Sequence, residues 1–427
     1  MKKITVIGGG STYTPELMDG LIKHAMDIGL GEVYLLDSDK TGKFDIVAKL
    51  AERMVEHGGK KFKIRWGSNV EDGLTDADFV LQQYRPGLLK GRINDETIPL
   101  KYNLIGQETT GVGGFSCALR ALPMVEQYVE AVRKWAAPDA FMINFTNPSG
   151  LISEFVINTL KFERFAGLCN IPINTLQTFA DSFNCQRTDV FLHYYGLNHM
   201  SWIDRVFVQG QDRTQEAFTK TYKPENVPDS ELFEKFAIQT GMVLNPYLRY
   251  YYTTPTMLAE EKEAKATKGT RGEQVQKIES ELLEKYADVG LYQKPPELEQ
   301  RGGSMYSTAA VELIRDLCTP GTKEHIVNIR NNGAVENLDR NYVLEINGRV
   351  SEKMIRPVSI EKAHPMAKGL IDTVKAFERL TIEAHLNNSR KKAKEALLIH
   401  PLGPGLEDVD SLLDDILEVN QTYCRLD

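Results

Sequence analysis

Two side chains able to hold a borderline cation stand thirty positions apart: Cys169 in Cys169-Asn170-Ile171-Pro172 and His199 in Gly196-Leu197-Asn198-His199. One thiolate and one imidazole can bind a divalent ion if substrate oxygens complete the shell. On spacing alone, the commoner reading is a small core cysteine and a structural histidine. A second constellation opens the chain, where an apolar run leads into Gly8-Gly9-Gly10-Ser11-Thr12 and then Thr14-Pro15, an N-cap with proline at N1. Glycines at such a turn let backbone N–H groups approach a pyrophosphate, whose charge the helix dipole favours. The pattern Gly8-x-Gly10-x-x-Tyr13 lacks the third glycine of the dinucleotide fingerprint, so a tight turn without a ligand is the alternative. Asp37 supports the nucleotide reading. It ends a second apolar run 27 positions after Gly10, where a carboxylate can accept from a ribose hydroxyl and favour NAD over NADP.

These groups need elements to hold them. Residues 3–7, 33–36, 79–81, 140–144 and 165–168 read as short buried strands, with helical periodicity between them. Such alternation implies a parallel, doubly wound sheet. Gly106-Gln107-Glu108-Thr109-Thr110-Gly111-Val112-Gly113-Gly114 reads as a polar, glycine-rich loop before a helix over 119–135. Beyond about residue 170 helices dominate: a charged stretch over 257–288, one long helix over 368–397, and a strand at 342–346. The expected architecture is α/β: a Rossmann-like NAD-binding domain over 1–170 and a mixed α+β domain over 171–427, arranged as in lactate and malate dehydrogenases. The second domain would carry substrate, metal and oligomer contacts.

Composition narrows the partners. The chain has 427 residues, 42% hydrophobic and 26% charged, with a formal net charge of −8. That is a globular composition without the basic stripe that nucleic acid requires. No apolar run is long enough to span a bilayer, and the N-terminus has no cleavable apolar region. The five cysteines are scattered and odd in number, which does not fit a disulfide framework. A cytoplasmic location with reduced thiols is expected.

Ordered blocks along nearly the whole chain carry a resemblance. They are Gly8 to Pro15, Ile98-Pro99-Leu100-Lys101-Tyr102, Gly106 to Gly111, Asn144-Phe145-Thr146-Asn147-Pro148, Cys169 to Pro172, Gly196 to His199, and Arg301-Gly302-Gly303-Ser304-Met305-Tyr306-Ser307. Together they resemble glycoside hydrolase family 4, the NAD-dependent exception to two-carboxylate glycosidases. The resemblance implies that Cys169 and His199 are metal ligands, with Mn²⁺ the usual ion. It implies that Asn147, Arg92 and Arg271 bind substrate. Ser11 and Thr12 belong to the cofactor-binding turn with Gly8, Gly10 and Asp37, and Ser11 or Thr12 is a candidate to assist the substrate phosphate. Glu108 would raise the basicity of a catalytic tyrosine in Tyr247-Leu248-Arg249-Tyr250-Tyr251-Tyr252. Counting back from Arg271 places that tyrosine at Tyr251, with Tyr250 the runner-up; core packing accounts for the other aromatic rings.

The chemistry so implied is oxidation at sugar C3 by NAD⁺, loss of the acidified C2 proton to a tyrosinate, elimination of the aglycone, addition of water, and return of the hydride. Asn170 bears on the substrate, because an asparagine cannot act as the general acid that an aspartate after the metal cysteine would supply. Its block resembles members acting on 6-phospho-β-glucosides. A 6-phospho-α-glucosidase, an NAD-dependent hydroxy-acid dehydrogenase and a non-catalytic NAD sensor are the rival readings. Homodimers or homotetramers are the assembly that the resemblance implies.

Overall fold

The apolar runs of the first half form a parallel ladder. Its strands are β1 (Lys2–Ile7), β2 (Leu30–Leu36), β3 (Lys63–Gly67), β4 (Phe79–Gln82), β5 (Phe141–Asn144) and β6 (Phe165–Gly167), ordered β3-β2-β1-β4-β5-β6. Every residue of β4 and β5 is buried, as continuous apolar strands covered on both faces must be. The computed structural model describes residues 1–39, 41–220, 230–302 and 305–427; Gly303 and Ser304 of the Arg301–Ser307 block lie outside the described residues. Strand order reverses between β1 and β4, and the crevice at the carboxyl ends of these two strands is where such sheets bind ligands.

The helix after the glycine turn runs Thr14–Ile28, one residue earlier than the N-cap reading of Thr14. Tyr13 takes the N-cap position, and the Thr14 hydroxyl donates to the Gly9 carbonyl at 2.8 Å instead of capping the helix. Its buried Leu17, Met18 and Leu21 lie on one stripe, each stabilising the fold by about 1.5–3 kcal/mol through burial. The glycine-rich stretch is only partly a loop. Its last four residues already belong to the helix Gly111–Trp135, because Gly113 and Gly114 lie too close to the carbonyls of Gln107 and Thr109 to carry a side chain.

The second half returns to the same sheet. Strands β7 (Val190–Leu197), β8 (Met200–Val208), β9 (Gln211–Asp212) and β10 (Val243–Leu244) form a small antiparallel sheet. Strands β11 (Lys323–Arg330), β12 (Val343–Ser351) and β13 (Met354–Pro357) then extend the first sheet antiparallel beyond β6, through Asn328 opposite Gly167. A cut after residue 170 therefore falls beside β6, and the main sheet crosses it. The stretch 368–397 divides into two helices, Pro365–Leu386 and Arg390–Ile399, with Ser389 capping the second through the Lys392 N–H. Among the described residues, no helix is long and apolar enough to cross a membrane.

Candidate active site

A cavity of about 1080 Å³ opens at the carboxyl ends of β1 and β4 and extends to the tip of the β7–β8 hairpin. At one end lies the glycine turn. Gly8 has φ +87°, and a Cβ there would meet the Tyr84 backbone N at 2.6 Å, so packing against the strand-β4 loop alone requires glycine. Gly10 donates its N–H to Asp37 Oδ2 at 2.8 Å, which puts the carboxylate at the cavity wall beside the turn. Ser11 lines the cavity as well. Thr12 does not: it is fully buried, and its hydroxyl donates to Glu279 at 3.2 Å, behind the turn. Tyr13, where a third glycine was missing, packs edge-on against Tyr306 with ring centroids 5.1 Å apart.

At the other end the two candidate metal ligands meet. Cys169 is the N-cap of the helix Asn170–Ser182, directly after β6, and its sulfur accepts from the Ile171 N–H at 3.5 Å. His199 sits in the two-residue turn between β7 and β8 at φ +63°, the left-handed region that tight hairpin turns use. Cys169 Sγ and His199 Nε2 are 3.4 Å apart. With zinc-like bonds of about 2.3 Å to sulfur and about 2.1 Å to nitrogen, donors at that separation subtend an angle between square and tetrahedral, so the pair fits one cation. Burial pushes the Cys169 thiol up to about 12, and it pulls the His199 imidazolium down to about 4. The imidazole is thus neutral and able to ligate at pH 7. Among the described residues no group of three or more His, Cys, Asp or Glu could hold a metal, so the pair stands without a third donor of those types. Asn170 follows at the first helical position and lines the cavity next to the thiol.

Cations converge between these ends. Burial would raise the Glu108 carboxyl, but the Arg85 and Arg92 guanidiniums beside it hold it below the usual range. Arg92 Nη1 lies 3.2 Å from Glu108, and Arg92 Nε donates to Glu96 at 2.7 Å. The other Glu96 oxygen accepts the Gly272 N–H at 2.7 Å, so one carboxylate ties Arg92 to the start of the helix Arg271–Tyr286. Arg271 and Arg301 both line the cavity, and each is depressed first by burial and then by neighbouring charge, including that of Arg92. Arg85 did not figure in the sequence reading, and Arg301 entered it only within a block of the resemblance, without a role at the site. Arg85 could have been found from its position directly after β4, at the ligand-binding end of the sheet. Asn147 joins the same wall, with its carbonyl accepting from Cys117 Sγ at 3.4 Å.

The tyrosine cluster differs most from expectation. Tyr251 does not line the cavity, because its hydroxyl is 2.6 Å from Thr110 Oγ1 and 3.5 Å from His400 Nε2, holding the 107–110 loop from behind. Tyr250 does line it, with its oxygen accepting from Arg249 at 3.2 Å. The tyrosine beside the ligand pair is Tyr247, stacked on His199 with centroids 4.0 Å apart. Burial raises its phenol first, and Tyr250, Cys169 and Glu108 push in the same direction. Glu108 is thus among the charged groups that act on the Tyr247 phenol.

A sequence model of family 4 glycosyl hydrolases matches residues 3–185, and one of the family's C-terminal domain matches residues 194–403. The chain belongs to glycosyl hydrolase family 4. It is 50% identical over 425 residues to the 6-phospho-β-glucosidase BglT of Thermotoga maritima, covering 99% of this chain and 100% of that one. A solved structure of a T. maritima 6-phospho-β-glucosidase with manganese, NAD⁺ and glucose-6-phosphate superposes with a TM-score of 0.94 at 49% identity, covering 100% of both chains. Lactate dehydrogenase of Trichomonas vaginalis shares the fold of this family 4 member, with a TM-score of 0.54 at 14% identity over 91% of this chain and 98% of that one. The first family 4 model ends at residue 185, just after the helix Asn170–Ser182, and the second begins at residue 194, within β7.

Proposed function

We propose that this chain is a 6-phospho-β-glucosidase that hydrolyses its substrate through transient oxidation of the sugar, with NAD⁺ and a divalent cation, Mn²⁺ foremost, as cofactors. The observation that carries the reading is the 3.4 Å approach of Cys169 Sγ and His199 Nε2 in the cavity that also holds the Gly8–Ser11 turn and Asp37. A hydroxy-acid dehydrogenase needs no such pair.

When bound, NAD⁺ supplies a hydride acceptor for C3 of the sugar, and the cation supplies a Lewis acid for the oxygen there. Gly8, Gly10, Ser11 and Asp37 hold the dinucleotide; Cys169 and His199 hold the cation. Arg92, Arg271 and the added candidates Arg85 and Arg301 offer guanidinium forks to the sugar phosphate. Asn147 orients the sugar against them. Tyr247 is the base for the C2 proton, in place of Tyr251 or Tyr250. Positive charge at the ligand pair is what lets its buried phenol give up a proton, and Glu108 strengthens the phenolate as an acceptor. Asn170 leaves the leaving-group side without a carboxylic acid next to Cys169, which favours β- over α-linked substrates. A thiol ligand suits a reducing compartment, so the enzyme is assigned to the cytoplasm, and a homodimer or homotetramer to its assembly.

Hydrolysis of a chromogenic 6-phospho-β-glucoside, with and without Mn²⁺, NAD⁺ and a thiol reductant, tests the reading. Each omission lowers the rate, and in D₂O the product sugar carries deuterium at C2. Stoichiometric accumulation of NADH, or a C2 position free of deuterium, rejects it.

A further inference from the structure

The loop before the helix Gly111–Trp135 carries a hydrogen-bond chain whose proton positions can be worked out atom by atom. Gln107 turns one amide atom toward two backbone N–H groups, those of Thr109 at 2.6 Å and Thr110 at 3.0 Å. A backbone N–H can only donate, so that amide atom is the carbonyl oxygen. The Thr109 hydroxyl lies 2.7 Å from the same oxygen and must donate to it. A hydroxyl has one proton. The Thr109 oxygen can therefore only accept from its other neighbour, His199 Nδ1, at 2.8 Å. The reverse arrangement would set two lone-pair oxygens against each other at 2.7 Å with no proton between them.

We infer that Gln107 and Thr109 are positioning residues that fix His199 as its Nδ1–H tautomer, leaving the Nε2 lone pair free to face Cys169. The assignment rests on the metal-site reading above only for its purpose; the hydrogen-bond argument itself needs no metal. It turns the bare convergence of sulfur and nitrogen into a prepared donor pair, because the nitrogen nearest Cys169 Sγ carries no proton to be displaced. Ligating histidines generally owe their orientation to a partner on the other ring nitrogen, and here that partner is a threonine whose own proton is committed to an amide. Stacking on Tyr247 fixes the ring plane, and the Thr109 bond fixes its protonation pattern.

Long-range ¹H–¹⁵N correlation spectra of the metal-free protein, labelled at histidine nitrogens, test this directly, with His199→Gln identifying the His199 signals. The wild-type ring shows Nδ1 protonated and Nε2 bare. Thr109→Val loses that preference and weakens Mn²⁺ binding about 10- to 100-fold, read by titration of the manganese electron-spin signal; Thr109→Ser restores both. Gln107→Leu frees the Thr109 hydroxyl to donate to Nδ1 and moves the proton to Nε2. A wild-type ring protonated at Nε2 overturns the proposal even if no variant folds. So does a folded Thr109→Val that keeps the wild-type spectrum and binds Mn²⁺ within about twofold of wild type. A wild-type protein that shows the Nδ1–H pattern but takes up no Mn²⁺ sinks the metal reading and upholds the tautomer.

Discussion

Tyr247 lies flat on His199, the ring planes 6° apart. The stack puts a phenol and the candidate ligand imidazole on one wall, so that a charge held at Cys169–His199 would act on the phenol at close range. Burial otherwise keeps that phenol neutral.

Tyr247→Phe is accordingly expected to lower kcat about 10²- to 10⁴-fold, the usual worth of a positioned base, with the melting temperature nearly unchanged. Tyr251→Phe removes the bond to Thr110 and the longer one to His400, and it costs about 0.5–1.5 kcal/mol of stability with kcat close to wild type. Steady-state kinetics and thermal melts of the two variants, side by side, decide between the two tyrosines.

Cys169→Ser keeps a small side chain at the N-cap but removes the soft donor. Mn²⁺ affinity should fall by at least about a hundredfold, since changes one shell further out already cost 10- to 100-fold. NAD⁺ affinity, read by fluorescence quenching, should hold. A chelator should abolish wild-type hydrolysis, and added Mn²⁺ should restore it.

Asp37→Ala leaves the Gly10 N–H without its 2.8 Å partner and the ribose side of the cavity without a carboxylate. The expected loss is roughly 10- to 100-fold in NAD⁺ affinity, by calorimetry, from a hydrogen bond to a charged group. Binding of the phosphorylated sugar should change far less.

Glu154 gives a pH-dependent test. This buried carboxylate accepts from Lys375 at 2.8 Å, Arg379 at 3.1 Å, Asn158 at 2.9 Å and the Val343 N–H at 2.9 Å. Burial opposes its charge, yet Lys375 and the other donors bring it down to about 2. A depressed acid contributes stability that is full above its unfolded value near 4.5 and is lost as pH falls toward about 2. Glu154→Gln should therefore destabilise by about 3–5 kcal/mol at pH 7, because fully buried Lys375 loses a partner. The gap between variant and wild type, followed by denaturant melts, should close as the pH drops through that window. A gap that stays constant would contradict the assignment.

The parallel sheet and the glycine turn were legible because they depend on local pattern: short apolar runs, a glycine turn, and an aspartate at a strand end. The Cys169–His199 pair was legible only through the resemblance, since thirty residues of sequence do not say that a helix N-cap and a hairpin tip converge. For a geometric reason, Tyr247, which we propose as the base, was not singled out from its neighbours. Residues 246–252 fold as one 3₁₀ turn, Pro246–Leu248, running into a four-residue helix, Arg249–Tyr252. So short an element has no periodicity from which to tell which of several tyrosines faces inward. Strand β3 was missed because its alternating, partly exposed residues carry little apolar signal. The pairing of β6 with β11, between Gly167 and Asn328, is a long-range contact with no local mark.

That last pairing bears on how the two halves are inherited. Because β11, β12 and β13 cover the flank of β6, the nucleotide-binding half is not a detachable cassette; released alone, it would expose a bare strand edge open to pairing with other chains. New substrate preferences would then have to arise by changes inside one continuous polypeptide, not by exchanging one half for another.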